Sequence, residues 1–258
     1  MDHEKLLTLV NRRVSDGRVL RVMDQMLKAG CMAEGRRLET AQGTPQGGVV
    51  SPILSNILLT PFDGEMRPRG YRLTRYADDW VVTCRTCIEA QHALSEAQKI
   101  RAALGVTLNE AKTRIVPVSQ GFELLGYKIK RGSRRLALAP ERIRSGTRQG
   151  DLYAYPRDQS LQHFKAQIRH RTRRKAPVDT PTLIAELNPV IRGWGLYFCK
   201  AHVRKLFARL DRWILRRLWS HRFKRWRCRG WQHLPEQRLY GEMGLVRLVF
   251  LIPSLKLR

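Results

Sequence analysis

From Val203 to Leu218 the apolar positions Val203, Leu206, Phe207, Leu210, Trp213, Ile214 and Leu218 recur at the three- and four-residue spacing of one helix face. Arg204, Lys205, Arg209, Arg212 and Arg216 fall largely off that stripe. The stripe predicts core packing, and the arginine face is left for a polyanion. Earlier in the chain a second helix is predicted over roughly Ile88 to Leu104. A third begins after Ser51, a natural N-cap, with Pro52 at its first position and Ile53, Leu54, Ile57 and Leu58 in helical register. Strands are predicted on either side of Asp78-Asp79, over Thr113 to Val118 and over Glu123 to Ile129.

This alternation ends at Gly132 to Tyr155, where Arg131, Arg134, Arg135, Gly146, Gly150 and Pro156 are poor core material and signal a connector. Beyond it the strand signal vanishes. The pattern therefore predicts an α+β part over residues 1–131, a connector over 132–155 and an all-α part over 156–258. At 258 residues with 43% hydrophobic content, the chain can bury a sizeable core in one or two domains. No internal repeat or low-complexity tract interrupts it.

Charge sharpens this division. The net charge is +27 with a pI near 11, of which residues 1–130 carry +5 and residues 131–258 carry +22. So large a surplus opposes compaction unless a polyanion neutralises it. Tryptophans 194, 213, 219, 226 and 231 interleave the basic half. Trp213 lies on the apolar stripe, whereas Trp226 and Trp231 are candidates for stacking on unpaired bases.

The chemistry is concentrated at Tyr76-Ala77-Asp78-Asp79, between Tyr71–Arg75 and the apolar Trp80-Val81-Val82. This reads as a hairpin tipped by paired acids, a placement that repels itself unless a cation is present. Mg²⁺ is commonly held by one or two carboxylates together with substrate phosphates, and a solvated acidic turn is the alternative. Upstream, Gly43-Thr44-Pro45-Gln46-Gly47-Gly48-Val49-Val50-Ser51-Pro52 is a glycine-rich turn feeding a helix. It can approach a phosphate closely, but it lacks the Gly-Lys-Ser/Thr ending of a Walker loop. The five cysteines are odd in number and scattered, which argues against disulfides and for a reducing compartment. Cys84 with Cys87, and Cys199 with His202, have metal spacing without a second pair, so no structural zinc is expected. The amino terminus lacks a signal-peptide stretch and no apolar run is long enough to span a membrane, which points to the cytoplasm.

Together, Gly-Thr-Pro-Gln-Gly-Gly-x-x-Ser-Pro and Arg-Tyr-Ala-Asp-Asp resemble the palm of a bacterial group II intron reverse transcriptase. Three further segments follow in order. Leu108-Asn109-Glu110-Ala111-Lys112-Thr113 resembles the family's lysine-bearing palm segment, and Phe122-Glu123-Leu124-Leu125-Gly126-Tyr127 its primer grip. Leu187-Asn188-Pro189-Val190-Ile191-Arg192-Gly193-Trp194-Gly195-Leu196-Tyr197 resembles the signature of the maturase-specific thumb.

The resemblance implies a partial palm, an antiparallel sheet with helices, followed by an all-α thumb. It also implies two-metal nucleotidyl transfer, in which a primer 3′-hydroxyl attacks the α-phosphate of a deoxynucleoside triphosphate and pyrophosphate leaves. Asp78 and Asp79 would then be catalytic metal ligands for Mg²⁺, with Mn²⁺ as an alternative ion. Lys112 would protonate the leaving pyrophosphate. Pro45, Gln46, Gly47, Tyr76 and Ala77 would border template and nucleotide, and Phe122, Leu125 and Gly126 would brace the primer. Arg192, Trp194 and the cations of the 203–218 helix would contact intron RNA.

One departure matters. The segment from Asp2 would follow the family's first catalytic aspartate, which has no counterpart here, and Asp2 aligns with a different residue. The fingers strands are absent as well. The expectation is the carboxyl-terminal part of a longer protein, with a complementing N-terminal fragment as one partner. Three readings follow: an RNA-directed DNA polymerase with maturase function, an RNA-binding splicing cofactor without polymerase activity, and an inactive remnant of a mobile element.

Overall fold

The structure is a computed structural model that describes residues 2–29, 31–33, 36–38, 50–132, 152–174, 176–224 and 230–253. It is a mixed α+β chain divided into two compact units, Met1–Val116 and Pro117–Arg258.

In the first unit, helices α1 (His3–Asn11), α2 (Gly17–Lys28), α3 (Ser51–Met66) and α4 (Cys87–Ala103) accompany two antiparallel hairpins. These are β1–β2 (Cys31–Ala33, Arg36–Leu38) and β3–β4 (Arg72–Tyr76, Asp79–Thr83). Asp2 starts α1 by accepting the amides of Glu4 and Lys5 at 3.0 and 3.4 Å, so this residue has a capping role. Thr86 caps α4 by accepting the Glu89 amide, while Glu89 reaches back to the Arg85 amide at 2.8 Å. That reciprocity is close to a capping box and explains why α4 begins where the apolar spacing does. The α3 cap falls on Val50, with Ser51 already helical and Pro52 in the first turn, one residue from the sequence expectation. Leu54 and Leu58 are buried with Leu6, Val10 and Leu27, whereas Ile53 is exposed. Farther along α3, Phe62 and Met66 join Leu73, Ala93, Ala97 and Ile100 in a second core beneath β3–β4.

The stretch Thr113 to Val118 is not a strand. Asn109 takes the amides of Lys112 and Thr113 at its carbonyl, and Gln120 closes a second turn on the Pro117 carbonyl. Pro117 has no amide to give a ladder, and the stretch joins no strand, although the Val118 carbonyl accepts the Arg131 amide at 3.0 Å.

The second unit opens with a three-stranded antiparallel sheet, β5 (Phe122–Leu124), β6 (Tyr127–Arg131) and β7 (Leu152–Pro156). Residues Leu152 to Tyr155, read as connector from their surroundings, are thus most of a strand. A five-residue run flanked by charge carries too little periodicity to be told from a linker. From Asp158 onward every described element is helical: α5 (Asp158–Arg171), α6 (Thr180–Phe198), α7 (Arg204–Phe223), the short α8 (Gly230–His233), a π-turn (Arg238–Glu242) and a 3₁₀ turn (Leu248–Leu251). Their shared core includes Phe164, Ile168, Leu187, Ile191, Phe207 and Ile214. The predicted α7 stripe is the inward face: Val203, Phe207, Leu210, Ile214 and Leu218 are fully buried, and Leu206 and Trp213 partly so. Asp211 is buried on the same helix because its carboxylate accepts the Leu248 and Val249 amides at 2.9 and 3.2 Å, tying the 3₁₀ turn to α7.

Candidate functional site

The β3–β4 hairpin closes through a Tyr76–Asp79 pair, leaving Ala77 and Asp78 as a two-residue loop. Ala77 has φ of +53° and Asp78 does not share a positive φ, the pattern of a type II′ turn, whose first position favours glycine. A side chain in that conformation is strained, and such strain persists only where surroundings impose it. Arg75 imposes it here. Its guanidinium donates to both Asp63 oxygens at 2.7 Å, to Asn56 Oδ1 at 3.0 Å and to the Ala77 carbonyl at 2.8 Å. This bidentate, nearly buried pair locks the turn onto α3. Trp80 secures the other strand by packing edge-on against Phe62, with centroids 5.4 Å apart.

The clamp thus presents two exposed carboxylates, Asp78 at the tip and Asp79 on the first strand residue, beside exposed Tyr76. Beneath them lies Arg101, a guanidinium 7% exposed that stacks over Phe62. Burial pushes its pKa down and the charge of Asp78 partly restores it. The paired acids suit a hard divalent cation in kind and number as part of its ligand set. Among the described residues no group of three His, Cys, Asp or Glu side chains converges to complete one. Lys112 is exposed in the Asn109 turn, and among the described residues no hydrogen bond or ion pair joins it to Asp78 or Asp79. Pro45, Gln46 and Gly47 lie outside the described residues. Sequence reasoning missed Arg75, Asp63 and Asn56, because the clamp joins positions far apart in sequence. The one local signal was the arginine preceding Tyr-Ala-Asp-Asp.

A second strained turn stands in the other unit. Leu124 pairs with Tyr127, so Leu125 and Gly126 form the loop, with φ of +49° and +74°. Two positive values make this a type I′ turn, for which Asn-Gly is the usual sequence. Tyr197 Oη donates to the Leu125 carbonyl at 2.8 Å, the Arg157 amide donates to the Gly126 carbonyl at 2.9 Å, and Tyr127 Oη donates to the Tyr197 carbonyl. The turn, with half-buried Phe122 at the start of its hairpin, borders an open cleft of about 740 Å³ lined by Arg157, Ser160, His163, Trp194 and Tyr197. Arg157 Nε is buried at this cleft without a hydrogen-bond partner among the described residues. Trp194 stacks on Phe164 at 4.5 Å and reaches Ser160 Oγ at 3.4 Å, so most of its ring belongs to the core and one edge to the cleft wall.

On α7, Arg204, Lys205, Arg209, Arg212 and Arg216 are all exposed, and Arg192 is exposed on α6. Lys205, Arg209 and Arg212 border a shallow depression of about 460 Å³. Trp219 is held by its Nε1 donating to the Leu234 carbonyl, whereas Trp231 is 57% exposed. Trp226 lies outside the described residues. Cys84 and Cys87 are free thiols and burial pushes that of Cys84 up; Cys199 is free and buried. No helix among the described residues is long and apolar enough to cross a membrane.

Comparison with known proteins matches two stretches of the chain. Residues 2–129 match the reverse transcriptase (RNA-dependent DNA polymerase) family, and residues 161–238 match the maturase-specific domain of group II introns. Protein YkfC of Escherichia coli is 29% identical over 50% of this chain and 43% of its own length. Group II intron-encoded protein LtrA of Lactococcus lactis is 38% identical over 50% of this chain and 33% of its own. An uncharacterized 91 kDa protein in the cob intron of Schizosaccharomyces pombe is 24% identical over 80% of this chain and 34% of its own. The chain therefore spans less than half the length of each of these relatives. With a palm-type match and a maturase-specific match in this order along one polypeptide, the chain belongs to the group II intron reverse transcriptase and maturase family.

Proposed function

We propose that this chain serves the copying of RNA into DNA and binds group II intron RNA as a maturase. The clamped turn carries the first part. Arg75 holds the Ala77 carbonyl, and Asp78 and Asp79 beside it are both exposed. Together they would hold Mg²⁺ or Mn²⁺ for an incoming deoxynucleoside triphosphate. When bound, such an ion would supply charge neutralisation while the primer 3′-hydroxyl gives up its proton to solvent, its oxygen bonds to the α-phosphorus and the bond to pyrophosphate breaks. Lys112 is the candidate donor of a proton to that pyrophosphate. Pro45, Gln46, Gly47, Tyr76 and Ala77 would border template and nucleotide, and the Leu125–Gly126 turn with Phe122 would brace the primer end. The exposed cations of α7 and Arg192 would neutralise RNA phosphates.

A second reading, RNA binding with polymerase chemistry lost, is favoured by one observation. Asp78 and Asp79 are not joined by a third metal-ligating side chain among the described residues. Primer extension on an RNA template with Mg²⁺ or Mn²⁺, measured beside RNA binding on the same preparation, separates the two. Metal-dependent extension that Asp78→Ala abolishes is the result the first reading predicts, and little or no extension with RNA binding intact is the result the second predicts. Robust extension that survives Asp78→Ala would overturn the assignment of the acidic turn.

A further inference from the structure

Where α5 ends, its last turn and the following residues are stitched onto the last two turns of α7. Arg217 donates from Nε to Thr172 Oγ1 and from Nη2 to the Thr172 carbonyl, both at 2.9 Å, and reaches the Arg169 carbonyl at 3.4 Å. Arg174 Nε donates to Ser220 Oγ at 3.1 Å, Lys224 Nζ donates to the Arg174 carbonyl, and His221 Nε2 meets the Ala176 carbonyl at 3.2 Å. Arg169 also lies over the Trp213 ring at 5.8 Å. Among the described residues, these hydrogen bonds of the cations end on neutral acceptors, with other cations nearby.

Two helix C-termini meet here, and their carbonyl ends favour positive charge by a few tenths to about 1 kcal/mol per group. That effect explains one or two cations, not the whole set. Burial pushes the Arg217 guanidinium down, and Arg169 and Arg174 push it further, so the repulsion acts at the seam itself. Arg169, Arg173, Arg174, Arg222 and Lys224 have exposed heads around it. Among the described residues, Arg169, Arg173 and Arg174 have no carboxylate within ion-pair distance. A fold that orders like charges with hydrogen bonds and leaves their outer faces open is built for a polyanion.

We propose that the seam between the C-terminal ends of α5 and α7 is a binding site for successive phosphates of an RNA backbone, separate from the outer face of α7. This rests on the RNA-binding reading above, and the seam falls within the residues matched to the maturase-specific domain. Arg169, Arg173 and Arg174 contact the phosphates, and Thr172 and Ser220 act as positioning residues for Arg217 and Arg174.

The test is fluorescence-anisotropy binding of the full chain to a labelled stem-loop RNA across a salt series. The variants are Arg169→Gln/Arg173→Gln/Arg174→Gln for the seam, the same three positions changed to Lys, and Arg209→Gln/Arg212→Gln for the outer face. The Gln seam variant should lose about tenfold in affinity, and its log–log salt slope should fall by roughly two, at about 0.7 to 0.9 per phosphate contact. The Lys version should keep the slope. If the triple variant melts early, Arg173→Gln alone, whose side chain bridges nothing among the described residues, should lower the slope by about one. An unchanged slope in the seam variants beside a lowered slope in the outer-face variant would overturn the seam and leave RNA binding standing. Absence of salt-dependent RNA binding by the unaltered chain would overturn both.

Discussion

Ala77 and Leu125 each hold a left-handed backbone in a two-residue hairpin loop, and each loop belongs to a candidate site. For Ala77 the strain is about 1 kcal/mol or somewhat more, against a smaller entropic loss for glycine. Ala77→Gly should therefore raise the unfolding midpoint slightly while loosening the acidic tip. Arg75→Met should also loosen the tip but lower the midpoint: Asp63 loses its bidentate partner, and stability should fall by about 2 kcal/mol, less than for a fully buried pair. Both can be read in the same Mn²⁺ titration. Paramagnetic broadening should centre on Tyr76 to Trp80 at millimolar ion and weaken in Arg75→Met. Broadening that ignores this segment would leave a solvated acidic turn. The carboxylates themselves were legible in the sequence because adjacent acids between two β-prone runs have few uses. Their clamp was not, since Arg75 meets Asp63 and Asn56 only after α3 packs against the hairpin.

Among the elements, those with a long apolar period were read well. Helix α7 buries the stripe that its sequence marks, and α4 begins at the Thr86 cap within one residue of expectation. Short elements were read unevenly. β3 and β4 form the hairpin expected around Asp78-Asp79, whereas Glu123 to Ile129, expected as one strand, is broken at Leu125 and Gly126 into β5 and β6. Thr113 to Val118 is β-prone yet joins no strand, and β7 hides among charged neighbours. Close approach between elements is equally invisible from one sequence. A Cβ on Gly195 would lie 2.5 Å from Leu251 and 2.7 Å from Leu248, so α6 and the 3₁₀ turn meet only because that position is bare. Gly195→Ala should destabilise the chain by about 1 to 3 kcal/mol as overpacking, measured by denaturant unfolding. Gly193→Ala, where a Cβ meets nothing within 4 Å, is the matched control and should be neutral or slightly stabilising. His221 offers a pH test of the α5–α7 seam. Burial lowers its pKa, the Ala176 carbonyl opposes that, and Lys224 and Arg217 add to it. A depressed folded pKa means that the unfolded chain takes up the proton first. Stability should be full above about pH 6.5 and fall as pH drops through the folded value. His221→Gln should flatten that part of the melting profile. An unchanged profile would mean that the imidazole is not neutral in the fold.

For the whole molecule, the uneven charge decides more than any single motif. A net +22 on residues 131–258 guarantees attraction to any polyanion, so affinity alone says little about a maturase. Generic attraction weakens steeply and equally for all RNAs as salt rises. Specific contacts, including stacking and shape complementarity, do not. The proposed maturase role needs more than generic attraction. The most direct measurement is competition between the full chain's own group II intron RNA and a scrambled RNA of equal length, followed over increasing salt. The prediction is that intron RNA wins at every salt and that its advantage persists as total affinity falls. Equal competition by the scrambled RNA across the series would contradict the account and leave only a basic surface.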